Sequence, residues 1–219
     1  MAQRHEEKYL IDYRQYVLLK ARAMQVLTPD SHGTAGSYTV TSLYYDDFMD
    51  TALLEKQDGL SRHTKFRLRT YDGSDGIIRL ERKIKQGLLT EKQTAVLTRE
   101  QLPLLDAPGQ LAGDAGELAV QMRAAGLRPA VTVRYRRDAF YFPGTDLRLT
   151  FDTDLRVLAA DEKALFDTSL SGIPVLDGNT VIMEIKYGSC MPAFIRHLTA
   201  VPARQLSVSK YALCREKTM

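Results

Sequence analysis

The sequence predicts an α+β fold that is mainly antiparallel β, with the sheet closed on itself around a polar lumen and helices packed outside. The first of three observations is a hairpin at 65–85. Lys65-Phe66-Arg67-Leu68-Arg69-Thr70-Tyr71 and Ile77-Ile78-Arg79-Leu80-Glu81-Arg82-Lys83-Ile84-Lys85 flank the turn cluster Asp72-Gly73-Ser74-Asp75-Gly76. Side chains alternate across a strand, so Lys65, Arg67, Arg69 and Tyr71 share a face opposite Phe66 and Leu68. On the return run Arg79, Glu81, Lys83 and Lys85 oppose Ile78, Leu80 and Ile84. The second observation is that polar/apolar alternation recurs in most other strands. The third is that both faces are then committed, the apolar one to helices and the polar one to a lumen, as closure of an antiparallel sheet allows. Taken alone, one such hairpin reads as a solvated sheet face. A solvated face mixes signs to limit repulsion across strands, whereas this one is cationic with a single carboxylate.

The chain of 219 residues is expected to form one domain, 1–219. Hydrophobic residues make up 44% and charged ones 26%, with a net charge of only +3. That excludes a global basic field for nucleic acid, so any anion site depends on local sorting of charge. The two cysteines, Cys190 and Cys214, lack CxxC or histidine spacing, which argues for reduced thiols and a cytoplasmic protein. The charged start, 1–8, has no apolar stretch behind it, and no apolar run approaches membrane-spanning length.

In order, 4–11 is a strand with Arg4, Glu6, Lys8 and Leu10 on one face. Asp12 caps a helix whose apolar stripe is Leu18, Leu19, Ala23, Val26 and Leu27. A loop at 29–36 precedes the β-branched and aromatic strand 40–46. A short helix at 48–57 stops near Gly59, and the hairpin follows. Strand 91–97 carries Lys92; 99–105 and 114–125 read as helices around the loop 108–113, with Gly126 closing the second. Strands follow at 131–141, after Pro129, and at 147–153, with Pro143-Gly144 as the turn between them. In the latter, Arg148, Thr150, Asp152 and Asp154 oppose Leu149, Phe151 and Leu155. Strand 180–187 places Ile182, Glu184 and Lys186 together, helix 191–201 has Pro192 in its first turn, and 207–211 reads as the last strand.

The polar faces contribute Arg4, Glu6, Lys8, Arg67, Arg69, Arg79, Glu81, Lys83, Arg148, Asp152, Glu184 and Lys186, with Arg137 and Lys210 added. Arginine forks and lysine ammoniums bind phosphate. Glu6, Glu81, Glu184 and Asp152 offer oxygen ligands for Mg²⁺ or Mn²⁺ beside those phosphates. Other signatures are absent: no GxxxxGK[ST], no GxGxxG after a strand, no serine-nucleophile motif, and no metal spacing around His5, His32, His63 or His197.

In this order the segments Arg4-x-Glu6-x-Lys8-Tyr9, Ser42-Leu43-Tyr44-Tyr45-Asp46, Lys65-Phe66-Arg67-Leu68-Arg69, Leu80-Glu81-Arg82-Lys83, Tyr135-Arg136-Arg137, Leu149-Thr150-Phe151-Asp152-Thr153, Met183-Glu184-Ile185-Lys186 and Ser209-Lys210-Tyr211 resemble a known family. It is the polyphosphate polymerase (VTC) domain of the vacuolar transporter chaperone complex. That family lies within the CYTH-like triphosphate tunnel metalloenzymes, which include adenylate cyclase and thiamine triphosphatase relatives. The resemblance implies a closed eight-stranded tunnel with triphosphate on basic residues and a divalent metal on glutamates. Carried over, Lys8, Arg67, Arg69, Lys83, Arg137, Lys186 and Lys210 bind phosphate, with Arg4, Lys92, Arg148 and Ser209 completing the expected substrate set. Arg67, Arg69, Lys83, Arg137 and Lys210 are the expected catalytic groups, and Glu184, then Glu6 and Glu81, the metal ligands. Where the broader superfamily opens with Glu-x-Glu-x-Lys, this chain has Arg4, which exchanges a metal ligand for a phosphate contact.

The expected activity is transfer of the γ-phosphoryl group of ATP to polyphosphate with Mn²⁺ or Mg²⁺. The alternatives are a metal-dependent triphosphatase acting on tripolyphosphate or an organic triphosphate, and a non-catalytic polyphosphate sensor. Nucleic acid is not an expected partner, and the residues leave the oligomeric state open.

Overall fold

The computed structural model describes residues 5–31, 36–87, 89–188, 190–203 and 205–219. Strand β1 (His5–Asp12) runs into helix α1 (Tyr13–Val26) through a capping box. The Asp12 carboxylate accepts from the Gln15 N–H at 2.8 Å, and the Gln15 side chain accepts from the Asp12 N–H at 3.0 Å. The cap sets the phase of the helix. Tyr16, Leu19 and Ala23 are buried, while Leu18 and Val26, expected in the stripe, are exposed. Leu18, two residues from Tyr16, lies on the far side of a 3.6-residue period, and Val26 is the last residue of the helix.

After β2 (Thr28–Pro29) and β3 (Ser37–Asp46), helix α2 covers Thr51–Gln57. It starts later than the expected 48 because Asp46 and Asp47 hold the entry. Their carboxylates accept from the N–H groups of Met49, Thr51, Ala52 and Leu53 at 2.9–3.2 Å. Strands β4 (Arg62–Tyr71) and β5 (Ser74–Gln86) join at Asp72-Gly73, with φ of 51° and 68°, the backbone a two-residue hairpin turn requires. Strand β6 (Leu89–Leu97) follows. Arg99–Asp106 is a 3₁₀ helix in place of a regular one, consistent with Pro103 inside it, which has no N–H to donate; a second 3₁₀ turn covers Pro108–Gln110. Helix α3 (Gly113–Ala124) ends at Gly126, φ 61°, with Leu127 N–H bonded to the Met122 carbonyl at 3.0 Å. The remaining elements are β7 (Arg128–Tyr141), β8 (Arg148–Leu158), α4 (Lys163–Phe166), β9 (Ile173–Pro174), β10 (Thr180–Tyr187), α5 (Ala193–Leu198, preceded by Pro192) and α6 (Lys210–Thr218).

The expected strand at 207–211 is not formed. The chain makes one bridge there, Tyr9 with Gln205, and one hydrogen bond from Leu206 N–H to the Lys8 carbonyl at 2.9 Å. Lys210 then opens α6, which buries Tyr211, Ala212 and Cys214.

The sheet is mainly antiparallel, in the order β1-β10-β8-β7-β3-β4-β5-β6, with β2 beside β7 and β9 beside β8. The order ends at β1 and β6, so the closed sheet expected from the sequence is not found among the described residues. The outer edge of β1 is instead met by the segment around Gln205.

The chain divides into two compact units. The first comprises Met1–Thr39, Tyr135–Leu155 and Pro174–Ser209. In its core Ile11, Leu149, Phe151, Val181, Met183 and Ile185 pack on Tyr16, Leu19 and Ala23 of α1 and Ile195 and Leu198 of α5. The second comprises Val40–Arg134, Arg156–Ile173 and Lys210–Met219. Its core sets Leu43, Phe66, Leu68, Ile78, Leu80, Ala95 and Leu97 against Leu118, Ala119 and Met122 of α3. Each fully buried leucine contributes about 1.5–3 kcal/mol. In both units burial of the apolar face turns the charged residues of the same strands to the opposite face.

Candidate functional site

In the second unit that face is built by register. Tyr44 pairs with Arg67 and Ser42 with Arg69 across β3 and β4. Lys65 pairs with Lys83, Arg67 with Glu81, and Arg69 with Arg79 across β4 and β5; Lys83 pairs with Lys92 across β5 and β6. Glu81, 1% exposed, is the hub. Arg67 Nε lies 2.6 Å from its Oε2, Arg69 Nη1 lies 3.8 Å away, and Lys92 forms an ion pair with Oε1. Burial pushes the Glu81 carboxyl upward, but Arg67, Arg69 and Lys92 outweigh it and hold it well below the usual carboxylate range. Arg67 Nη1 donates to the Tyr44 hydroxyl at 2.9 Å, and Arg69 Nε to Ser42 Oγ at 3.0 Å. Burial raises the Tyr44 phenol; Arg67, Arg69 and Lys65 bring it down to about 8. Tyr211 packs on Tyr44 with ring centroids 5.1 Å apart and lies under Lys65 Nζ.

The first unit carries a checkerboard of charge. Glu6 stands opposite Lys186 and Lys8 opposite Glu184 across β1 and β10. Lys8 Nζ lies 2.7 Å from Glu6, and Lys186 Nζ 2.5 Å from Glu184. Thr150 and Arg148 of β8 continue the same face opposite Glu184 and Lys186. Arg137 holds Asp152 with both Nε and Nη2, at 2.7 and 2.8 Å. Burial lowers the Arg137 guanidinium, but Asp152 first, then Tyr135 and Glu184, push it well above its usual value.

The profile of the VTC domain matches residues 3–219. The chain belongs to the VTC-domain family. No curated protein matches the sequence. Among solved structures, this VTC domain is similar to a candidate adenylate cyclase from Bacillus halodurans, with 13% identity, 94% of this chain and 95% of that one covered, and a TM-score of 0.54. A protein from Pyrococcus horikoshii OT3 is similar at 12% identity, 98% and 97% coverage and a TM-score of 0.50. A chain of the Schizosaccharomyces pombe Mediator head module is similar at 8% identity, 91% and 96% coverage and a TM-score of 0.51. Likeness at this identity establishes a shared fold, and function has to be argued from the site.

Of the residues singled out from the sequence, the VTC domain brings Arg67, Arg69, Glu81 and Lys92 into one cluster, with Lys83 on its edge. It brings Glu6, Lys8, Glu184, Lys186 and Arg148 onto another face. Arg148 contacts Asp30 at 2.5 Å and the Tyr38 hydroxyl at 3.0 Å. Arg137 has two nitrogens committed to Asp152, so a phosphate there would compete with a buried carboxylate. Ser209 and Lys210 stand at the entry to α6, half-buried, and not on a strand. Arg4 and His32 lie outside the described residues. Ser42, the hydrogen-bond partner of Arg69, was missed as a site residue; its signal was its parity with Tyr44 on the strand.

For a hard divalent cation, Glu6 and Glu184 are carboxylates that could serve as oxygen ligands, diagonally placed on neighbouring strands. No group of three or more His, Cys, Asp or Glu side chains among the described residues converges to hold a metal. The rest of a coordination shell would therefore fall to substrate oxygens and water. Among the described residues no helix is long and apolar enough to cross a membrane.

Proposed function

We propose that this VTC domain is a phosphotransferase that binds a nucleoside triphosphate and polyphosphate and passes the γ-phosphoryl group of ATP to the polyphosphate chain. The observation that carries the reading is the face of β4–β6, where Lys65, Arg67, Arg69, Arg79, Lys83 and Lys92 surround one carboxylate, Glu81. Such an excess of forked and pointed cations in a half-buried setting suits a polyanion. In the transfer, a terminal oxygen of the acceptor attacks the γ-phosphorus as its bond to the β–γ bridging oxygen breaks. ADP leaves, and the acceptor is one phosphate longer. Arg67 and Arg69 would neutralise charge on the transferred group and Lys83 and Lys92 would hold the adjoining phosphates, a task of positioning and electrostatics. Mn²⁺ or Mg²⁺ bound with the triphosphate would supply further charge neutralisation.

The test is incubation with ATP and Mn²⁺, with separate assays for long-chain polyphosphate and free phosphate. The expected result is polymer and ADP in the wild type, with Arg67→Ala and Arg69→Ala folded but unable to bind tripolyphosphate. Free phosphate from tripolyphosphate without polymer would replace the reading with a triphosphatase. Tight binding without either product would replace it with a sensor.

A further inference from the structure

Across β4 and β5 the cationic face is arranged in rungs. Lys65 faces Lys83, Arg67 faces Glu81, and Arg69 faces Arg79. The middle rung contains its own counter-charge, and the Arg69–Arg79 rung pairs two arginines in register with no carboxylate between them. Like charges so placed repel. Arg69 is anchored by Ser42 at 3.0 Å, but its Nη1 is 3.8 Å from Glu81, beyond hydrogen-bond distance. Arg79 is half-buried, with its guanidinium 5.6 Å from the centre of the Tyr71 ring. Its Nε is buried with no hydrogen-bond partner among the described residues. A buried donor without a partner is uncommon and costly. On the β6 side its neighbour is Val96, 65% exposed, so the rung opens toward solvent.

We propose that Arg69 and Arg79 form a distal phosphate subsite that makes binding depend on phosphate chain length. This rests on the polyphosphate reading above. A bridging phosphate would satisfy the orphaned Arg79 N–H and remove the repulsion across the rung. Successive rungs on one face are about 7 Å apart along the strand. A polyphosphate anchored at Arg67 and laid along β4 reaches Arg69 and Arg79 with its later phosphates. Tyr71 keeps the Arg79 guanidinium in place by packing under it.

The experiment is calorimetric titration of the whole chain, in chelator, with pyrophosphate, tripolyphosphate and longer polyphosphate. Arg79→Ala, Arg79→Lys and Arg82→Ala are compared with the wild type. Arg82 is the control because it is the nearest cation on the opposite face of β5. The wild type is expected to prefer the longer chains. Arg79→Ala should lose about tenfold or more for tripolyphosphate and longer chains, while its pyrophosphate affinity changes by less than about twofold. Arg79→Lys keeps the charge without the fork, guards against loss of folding, and should fall between the two. Arg82→Ala should match the wild type. Equal losses in Arg79→Ala and Arg82→Ala would reduce the effect to net charge and overturn the subsite, as would wild-type length preference in Arg79→Ala. Failure of the wild type to bind any of the three ligands would overturn the polyphosphate reading itself, and the subsite with it.

Discussion

Tyr44 is a buried phenol beside three cations, and its proton is sensitive to them. Because Arg67, Arg69 and Lys65 outweigh burial, it ionises near 8 in the folded chain, below its ordinary 10. An acid whose folded pKa is depressed stabilises the fold fully above its unfolded pKa, and that contribution is lost as pH falls through the folded value. Here the window runs from about 10 down to about 8. A phenolate in the cluster also repels a polyanion. Tripolyphosphate affinity should therefore decline as pH rises through about 8, and Tyr44→Phe should flatten the decline. Phenolate absorbance should titrate at the same midpoint in the wild type and be lost in the variant; an affinity profile unchanged by Tyr44→Phe would remove Tyr44 from the site. Glu184 supports a second expectation. Its carboxylate lies 2.5 Å from Lys186 and opposite Lys8, on the same face as Glu6. Glu184→Gln keeps the shape and removes the charge a hard cation needs. It should lose Mn²⁺-dependent turnover while metal-free phosphate binding holds or rises. Full turnover at ordinary Mn²⁺ would show that Glu184 is no metal ligand.

The hairpin β4–β5 is the element on which the site depends, and its turn can be tested by stability alone. Gly73 has a φ of 68°, and a Cβ built there would sit 2.5 Å from Thr168 Cγ2 and 2.9 Å from the Phe166 carbonyl oxygen. The methyl group can swing aside, but the carbonyl belongs to backbone. Gly87, at the other end of β5, has a similar φ of 58° and nothing within 4 Å of its Cβ position. Gly87→Ala should cost about 1–2 kcal/mol, the left-handed penalty alone. Gly73→Ala should cost more, about 2–4 kcal/mol with the steric term added. Urea unfolding of both variants measures the difference. Equal losses would mean that the segment at Phe166 yields freely. The same element shows how alternation makes a site: Leu68 and Leu80, both fully buried, hold the strands on α3, and thereby turn Arg67, Arg69 and Glu81 to the other face.

For the whole molecule, the expected ligand preference follows from what the cationic faces contain. Their contacts are guanidiniums and ammoniums, which read charge. Tyr44 and Tyr211 are packed on each other with their ring centroids 5.1 Å apart, leaving neither as an open platform for a base. Tripolyphosphate and longer chains should displace a labelled nucleotide better than pyrophosphate, and ATP and GTP should compete about equally. A strong preference for one base at equal phosphate number would point to a nucleotide-specific enzyme.

Some of this was determined by the sequence alone, because the forces are local. Strand alternation assigned Arg67 and Arg69 to one face and Phe66 and Leu68 to the other, and the structure keeps that division. Asp12 announced the start of α1, and Asp72-Gly73 the turn, through side chains and backbone angles within a few residues. Tertiary structure decided the rest. Register, a contact between distant segments, chose Glu81 as the hub for Arg67, Arg69 and Lys92, and set Arg79 against Arg69. It also gave the Arg137 fork to Asp152, which no local pattern announces. Ser207-Val208-Ser209-Lys210-Tyr211 alternates well enough for a strand, yet α6 begins at Lys210. There Tyr211 gains the Asp46 carboxylate and the Tyr44 ring, while Cys214 is fully buried. Those partners lie more than a hundred residues away, and only the folded chain brings them within reach.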